Sequence, residues 1–191
     1  VTLTDIVVIL CKIDFVKYNY FNKIQISSLK FVDVSSYSNC LFTFEYNYLE
    51  GPKRNLVINH CLFSDLVQAI NPIFWISLVQ ITEFAFTDNI FLNIQYEELI
   101  IRLIFFTSSG EEFRRKRFEH AENSFGIINN IFINIRSLKG RPIYMKGQCF
   151  FFNNTFIRSE GGVLYFLGSE VIMISNHFKN CSTSNEGGIL Y

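Results

Sequence analysis

The last third of the chain says one phrase twice. Glu160-Gly161-Gly162-Val163-Leu164-Tyr165 returns 26 residues later as Glu186-Gly187-Gly188-Ile189-Leu190-Tyr191. A unit of this length cannot bury its own apolar face, so units that recur at a near-fixed spacing must stack on one another. Shorter phrases carry the repeat back to the start. KFVDV, LFSDL, AFTDN, IFINI and HFKNC share an aromatic, one residue, then Asp or Asn. Aligned on that position, the anchors are Val8, Phe31, Phe63, Phe86, Phe106, Phe132, Phe156 and Phe178, at spacings of 23, 32, 23, 20, 26, 24 and 22.

Columns that played no part in choosing the anchor test the alignment. Five residues before it stand Leu3, Ile26, Ile58, Ile81, Ile101, Ile127, Phe151 and Met173. Seven before it stand Val1, Ile24, Leu56, Val79, Leu99, Phe125, Cys149 and Val171. Both columns are wholly apolar in a chain that is 49% hydrophobic. Three before it, the residues are Asp5, Ser28, His60, Glu83, Leu103, Asn129, Asn153 and Ser175, polar in all but one circuit. Apolar positions two apart share one face of a strand, and the three-residue step across the polar column breaks that alternation. Each repeat therefore reads as short strands meeting at corners. After a polar turn comes another apolar run: CLFTF from Cys40, PIFW from Pro72, PIYM from Pro142, VLYF from Val163 and ILY from Ile189. The double glycine marks a bend into the next strand. The reading is an all-β, single-domain parallel β-helix (β-solenoid) over residues 1–191, with about eight coils of 20–32 residues and a rod of roughly 40 Å at the usual strand spacing. Two coils carry extra material: a projecting loop near 46–55, with the turn Glu50-Gly51-Pro52, and a charged loop near 108–123.

GGVLY and GGILY, with NNTF and SNHFKN between them, resemble the GGA[I/L/V] and FxxN repeats of polymorphic outer-membrane proteins. They also resemble β-helix repeats in large surface proteins of ciliates and other protists. More broadly the chain is similar to the pectin-lyase-like superfamily of right-handed β-helices. The resemblance implies right-handed winding and an extracellular or cell-surface setting. It implies no activity, because that superfamily hosts enzymes, adhesins and structural proteins alike.

Stacked side chains follow from the alignment. Phe31, Phe63, Phe86, Phe106, Phe132, Phe156 and Phe178 are expected to form one buried aromatic column, with Phe106 a central member. Two residues before the anchor, Asn130, Asn154 and Asn176 are expected to form a ladder of side-chain amides. Two residues after it, Asp33, Asp65 and Asp88 fall in successive circuits, followed by Ser108, Asn134, Arg158 and Asn180. Stacked carboxylates repel unless water or a cation separates them, which makes calcium at Asp33, Asp65 and Asp88 a candidate. Turn residues bonded to nearby backbone are the simpler reading. No cofactor is implied otherwise. His60, His120 and His177 fall at different repeat positions and do not converge on a metal. No nucleophile motif or phosphate-binding glycine loop is present.

Lys+Arg and Asp+Glu number 17 each, so no global field favours nucleic acid. Arg114, Arg115, Lys116 and Arg117 are flanked by Glu111, Glu112, Glu119 and Glu122, as in a solvated loop. Arg102 interrupts the most apolar stretch, and no segment is long enough to span a bilayer as a helix. Cys11, Cys40, Cys61, Cys149 and Cys181 form no C-x-x-C pair, which leaves disulfides or buried thiols. Asn153-Asn154-Thr155 and Asn180-Cys181-Ser182 are glycosylation acceptors at Asn153 and Asn180. Val1-Thr2-Leu3 and Gly188-Ile189-Leu190-Tyr191 both fit the strand pattern, so residues 1–10 and 171–191 are expected to abut the rest of a longer chain or another copy. The functional expectation is a non-enzymatic structural or adhesive β-solenoid that assembles end to end. The alternatives are a carbohydrate-active β-helix enzyme (polysaccharide lyase or hydrolase) and a glycan-binding module.

Overall fold

A computed structural model describes residues 2–4, 7–9, 16–18, 23–33, 35–36, 42–46, 54–68, 72–79, 81–96, 101–106, 125–137 and 142–183. Among these residues every regular element is a β-strand, and every strand pairing is parallel. No helix among them is long and apolar enough to cross a membrane.

The pairings resolve into three ladders that the chain visits in turn. The first contains Thr2–Thr4, Lys23–Ser27, Arg54–Asn59, Ile81–Thr87 and Phe125–Ile128. The second contains Val7–Ile9, Lys30–Val32, Leu62–Ser64, Ile90–Tyr96, Ile131–Ser137, Thr155–Glu160 and His177–Lys179. The third contains Val16–Tyr18, Phe42–Tyr46, Phe74–Val79 and Ile101–Phe106. Two longer strands, Ile143–Phe152 and Leu164–Ile174, start in the third ladder and finish in the first, with a register shift between Lys146 and Gln148. The third-to-first passage therefore needs almost no connecting chain.

Alternation of apolar and polar residues decides which side of each ladder is interior. Lys23–Ser27 alternates with Ile24 and Ile26 fully buried. One inward column of the first ladder runs Ile26, Ile58, Phe86, Ile127 and Phe151 in direct register, all at 0% exposure. In the second ladder the column is Phe31, Phe63, Phe91, Phe132 and Phe156, also at 0%. In the third it is Phe42, Phe74, Ile101 and Ile143, followed by Leu164. The three columns meet at the centre. Phe42 and Phe74 stand edge-on to Phe31 and Phe63 at 5.4 and 5.3 Å, which seals the second ladder against the third.

Two corners bracket the middle strand of each circuit, and their backbone is the most regular feature of the molecule. All non-glycine residues described with positive φ form six pairs five residues apart: Ser28 and Asp33, His60 and Asp65, Asp88 and Asn93, Asn129 and Asn134, Asn153 and Arg158, Ser175 and Asn180. Their φ values lie between 50° and 57°. This left-handed turn redirects the chain, yet the N–H of the turning residue still reaches the next rung: Ser28 N donates to Asn59 O at 3.1 Å and Asp65 N to Leu92 O at 2.9 Å. Asn and Asp tolerate that conformation best among residues with a side chain, which explains the polar columns. Gly161 and Gly162, at φ 98° and 90°, make the double-glycine bend, and both N–H groups donate to Ser182 O.

The register corrects the sequence alignment at its centre. Phe91 pairs directly with Phe63 on one side and Phe132 on the other. The anchors Phe86 and Phe106 therefore collapse into the single anchor Phe91, and the second ladder has seven rungs among the described residues where eight circuits were expected. Circuit lengths there become 28 and 41 residues. The physical reason is that Phe86-Thr87-Asp88 does sit at a left-handed corner, but at the first corner rather than the second. Of the two expected loops, residues 47–53 and 107–124 lie outside the described residues.

Candidate functional site

The first corner hides a line of amides. Just inside it, Asn89, Asn130 and Asn154 are at 0% exposure, and Asn176 follows on the next rung. Turning the chain here takes the N–H groups of Cys61, Asn89, Asn130 and Asn154 out of the ladders, a costly state inside an apolar core without another acceptor. The asparagines supply the missing partners. The Oδ1 of Asn130 accepts from the N–H and the Nδ2 of Asn89, both at 3.0 Å. The Oδ1 of Asn154 accepts the same two bonds from Asn130, and that of Asn176 from Asn154, at 2.9–3.0 Å. The second hydrogen of each amide goes back to a first-ladder carbonyl: Asn89 to Ile58, Asn130 to Phe86, Asn154 to Ile127 and Asn176 to Phe151, at 2.6–3.1 Å. At its early end the line stops at Cys61, whose N–H donates to Asn89 Oδ1 at 3.0 Å. Burial pushes the Cys61 thiol up to about 11, against a weaker opposing hydrogen bond to backbone at Leu29.

Asn130, Asn154 and Asn176 were expected on one column, and the structure brings them together. Asn89 belongs with them and was missed, because the alignment on Phe86 instead of Phe91 put Phe84 in its place. A signal was there: polar residues five apart, at 88 and 93, bracket Asn89 as they do in the five other circuits whose corners are described.

Aromatic rings stack beside this line. Centroids are 5.4 Å apart for Phe31–Phe63, 4.9 Å for Phe63–Phe91, 4.8 Å for Phe91–Phe132, 4.4 Å for Phe132–Phe156 and 5.6 Å for Phe156–Phe178. Phe86 is buried in the first ladder and only touches the stack, 6.0 Å from Phe91. Phe106 lies in the third ladder, its backbone paired with Val79, and is not a member.

Outside, the corners carry their own bonds. Asn129 Nδ2 donates to Asp88 and Asn153 Nδ2 to Asn129 at the first corner, at 3.2 and 2.9 Å. At the second, Asn93 donates to Asp65 and Asn134 to Asn93, at 2.9 and 2.7 Å. Asp88 thus departs from the column of Asp33 and Asp65, and the three carboxylates do not form one set for calcium. His60 Nε2 lies 4.0 Å from Asp88 Oδ2, while His177 is an exposed strand residue; His120 lies outside the described residues. Among the described residues no group of three or more His, Cys, Asp or Glu is placed to hold a metal. Asn153 and Asn180 both stand exposed at left-handed corners, Asn153 at the first and Asn180 at the second. Cys61 and Cys181 are free thiols. The structure describes neither the side chains of Cys11, Cys40 and Cys149 nor the run from Arg114 to Arg117.

Comparison with protein-family models, curated proteins and solved structures finds no match to this chain.

Proposed function

We propose that the three ladders are the faces of a right-handed parallel β-helix, and that the chain is a non-enzymatic structural or adhesive rod of an extracellular or cell-surface protein. The observation that carries this reading is the asparagine line. Each rung offers the next the same acceptor and donors, so any further rung, from the same polypeptide or another copy, can dock by repeating the bond pattern at Asn176. Rungs that template their neighbours make a rod rather than a cleft. The handedness and the surface setting rest on the resemblance to surface-protein repeats.

A glycan-binding module is the second reading, with one specific support. On the outward side of the third ladder, Tyr144 and Tyr165 stack at 5.5 Å with 10° between ring planes, and Arg102 separates them from Trp75 in the same register column. Flat aromatic rows of this kind suit sugar rings. The enzyme alternative lacks such support, since the stacked aspartates divide between two corners.

Electron microscopy with light scattering on the purified chain tests the structural reading. The expected result is rods that lengthen with concentration and diffract at the strand spacing of about 4.8 Å along their axis. A dispersed monomer at micromolar concentration overturns end-to-end assembly.

A further inference from the structure

The outward side of the second ladder is aliphatic at its centre. Ile90 and Ile131 are adjacent in register and 39% and 36% exposed. Leu92 and Ile133 stand beside them, and Leu62 and Ile157 flank the group on neighbouring rungs, all half-buried. An apolar patch of this kind on a flat face marks an interaction surface. We propose that it docks a second copy of the chain, face to face and antiparallel, about a two-fold axis that passes between the Ile90 and Ile131 rungs.

The distribution of charge selects that occupant. Along the second corner the rim reads Asp33, Asp65, Asn93, Asn134, Arg158, Asn180 in rung order. It is acidic early and basic late. A two-fold axis along the strand direction reverses rung order and keeps each corner opposite itself. Asp65 then faces Arg158 of the second copy, Asn93 faces Asn134, and both contacts occur twice by symmetry. The first-corner rim obeys the same operation: Asp88 meets Asn129, a carboxylate against an amide, and Ser28 meets Ser175. At the centre Ile90 meets Ile131 and Leu92 meets Ile133, so apolar surface covers apolar surface. A parallel pairing, about an axis along the rod, instead sets first corners against second corners, Asp65 against His60 and Arg158 against Asn153, and gives Arg158 no carboxylate to face. Lys30 opposite His177 and Val32 opposite Lys179 are unfavourable contacts of the antiparallel arrangement, and both lie on its outermost rungs. The face measures about 16 Å between corners and about 24 Å over six rungs, or about 400 Å² per copy. That is half a standard interface, so the pairing belongs to copies held at high local concentration. It is lateral, and independent of whether rods also join at their ends.

Sedimentation velocity over about 5 µM to about 1 mM tests it, a range chosen for an interface of this size. The wild type is expected to double in mass with concentration. Asp65→Arg and Arg158→Asp should each weaken doubling about tenfold, and the two together should restore it to within about threefold of wild type. Ile90→Lys with Ile131→Lys should abolish doubling in this range. Lys23→Glu, an exposed change on the first ladder, should leave it unaltered. Circular dichroism on every variant checks that the fold is retained. A wild type that stays single at 1 mM overturns the proposal, as does doubling that survives the isoleucine changes. Failure of the paired swap to restore doubling overturns the antiparallel geometry. Growth into long species that the face variants leave unaltered reports end-to-end joining alone, and overturns the lateral contact.

Discussion

Asn130 shows how much one side chain can hold. Its amide and carbonyl serve the N–H and Nδ2 of Asn89, the Phe86 and Ile128 carbonyls and Asn154 Oδ1, all within a site at 0% exposure. Asn130→Ala takes the acceptor from two buried donors, the N–H and Nδ2 of Asn89, at about 1–3 kcal/mol each, so chemical denaturation should show a loss of about 2–5 kcal/mol. A loss below about 1 kcal/mol would mean that water replaces the amide at no cost. Ser175 poses the opposite case. It is exposed, holds φ 55°, and sits one rung beyond Asn153 at the first corner. Ser175→Asn suits that conformation better and extends the corner bonds, so the melting temperature should rise, with a gain of about 0.5–1 kcal/mol. Cys61 gives a pH dependence. Its folded-state pKa is raised to about 11, so the folded chain keeps a proton that the unfolded chain releases nearer 9. Stability is whole below about pH 9 and falls as pH climbs toward 11. Cys61→Ala should flatten that stretch of the stability–pH curve.

At the scale of a strand, the aromatic column is the device that fixes register. A one-residue slip would turn its rings to solvent on every rung. Phe132 is its best-stacked member, at 4.8 and 4.4 Å from its neighbours and fully buried. Phe132→Ala should cost about 3–5 kcal/mol, measured by urea unfolding. Phe106→Ala is not the corresponding experiment, since Phe106 belongs to the third ladder. The inward columns of the early and late circuits were legible in the sequence for a simple reason. Ile24 and Ile26, Leu56 and Ile58, or Phe151 and Met173 lie at fixed distances from an aromatic anchor, and each circuit has one such anchor. The central circuits offered two. An aromatic, one residue, then Asp or Asn describes Phe86-Thr87-Asp88 at the first corner and Phe91-Leu92-Asn93 at the second equally well, because both corners demand the same left-handed geometry.

Across the whole molecule, circuits of very different length share one register. Phe156 and Phe178 are 22 residues apart, Phe91 and Phe132 are 41, and both are direct ladder partners. Strands such as Ile143–Phe152 pass from the third ladder to the first without a break, so the 107–124 segment is longer than its passage requires. Replacing residues 109–122 with a short Gly-Ser linker should leave the melting temperature within a few degrees of wild type, because closing a shorter loop changes chain entropy by only about 0.6 kcal/mol per halving. A large drop would assign that charged segment a packing role.

The sequence by itself determined that this chain is all-β and repetitive, that aromatic and aliphatic residues line its interior, and that polar residues take the bends. Those properties are local: they follow from side-chain alternation over a few residues and from which residues accept a left-handed backbone. Only the tertiary structure decided which rung pairs with which. The pairing of Phe91 with Phe132 spans 41 residues, and no local pattern measures that distance. It placed Asn89 in the buried amide line, moved Asp88 to the other corner, and set Ile90 beside Ile131 on an outer face. Register is a property of neighbouring rungs, settled where hydrogen-bond donors and acceptors from separate circuits must all find partners at once.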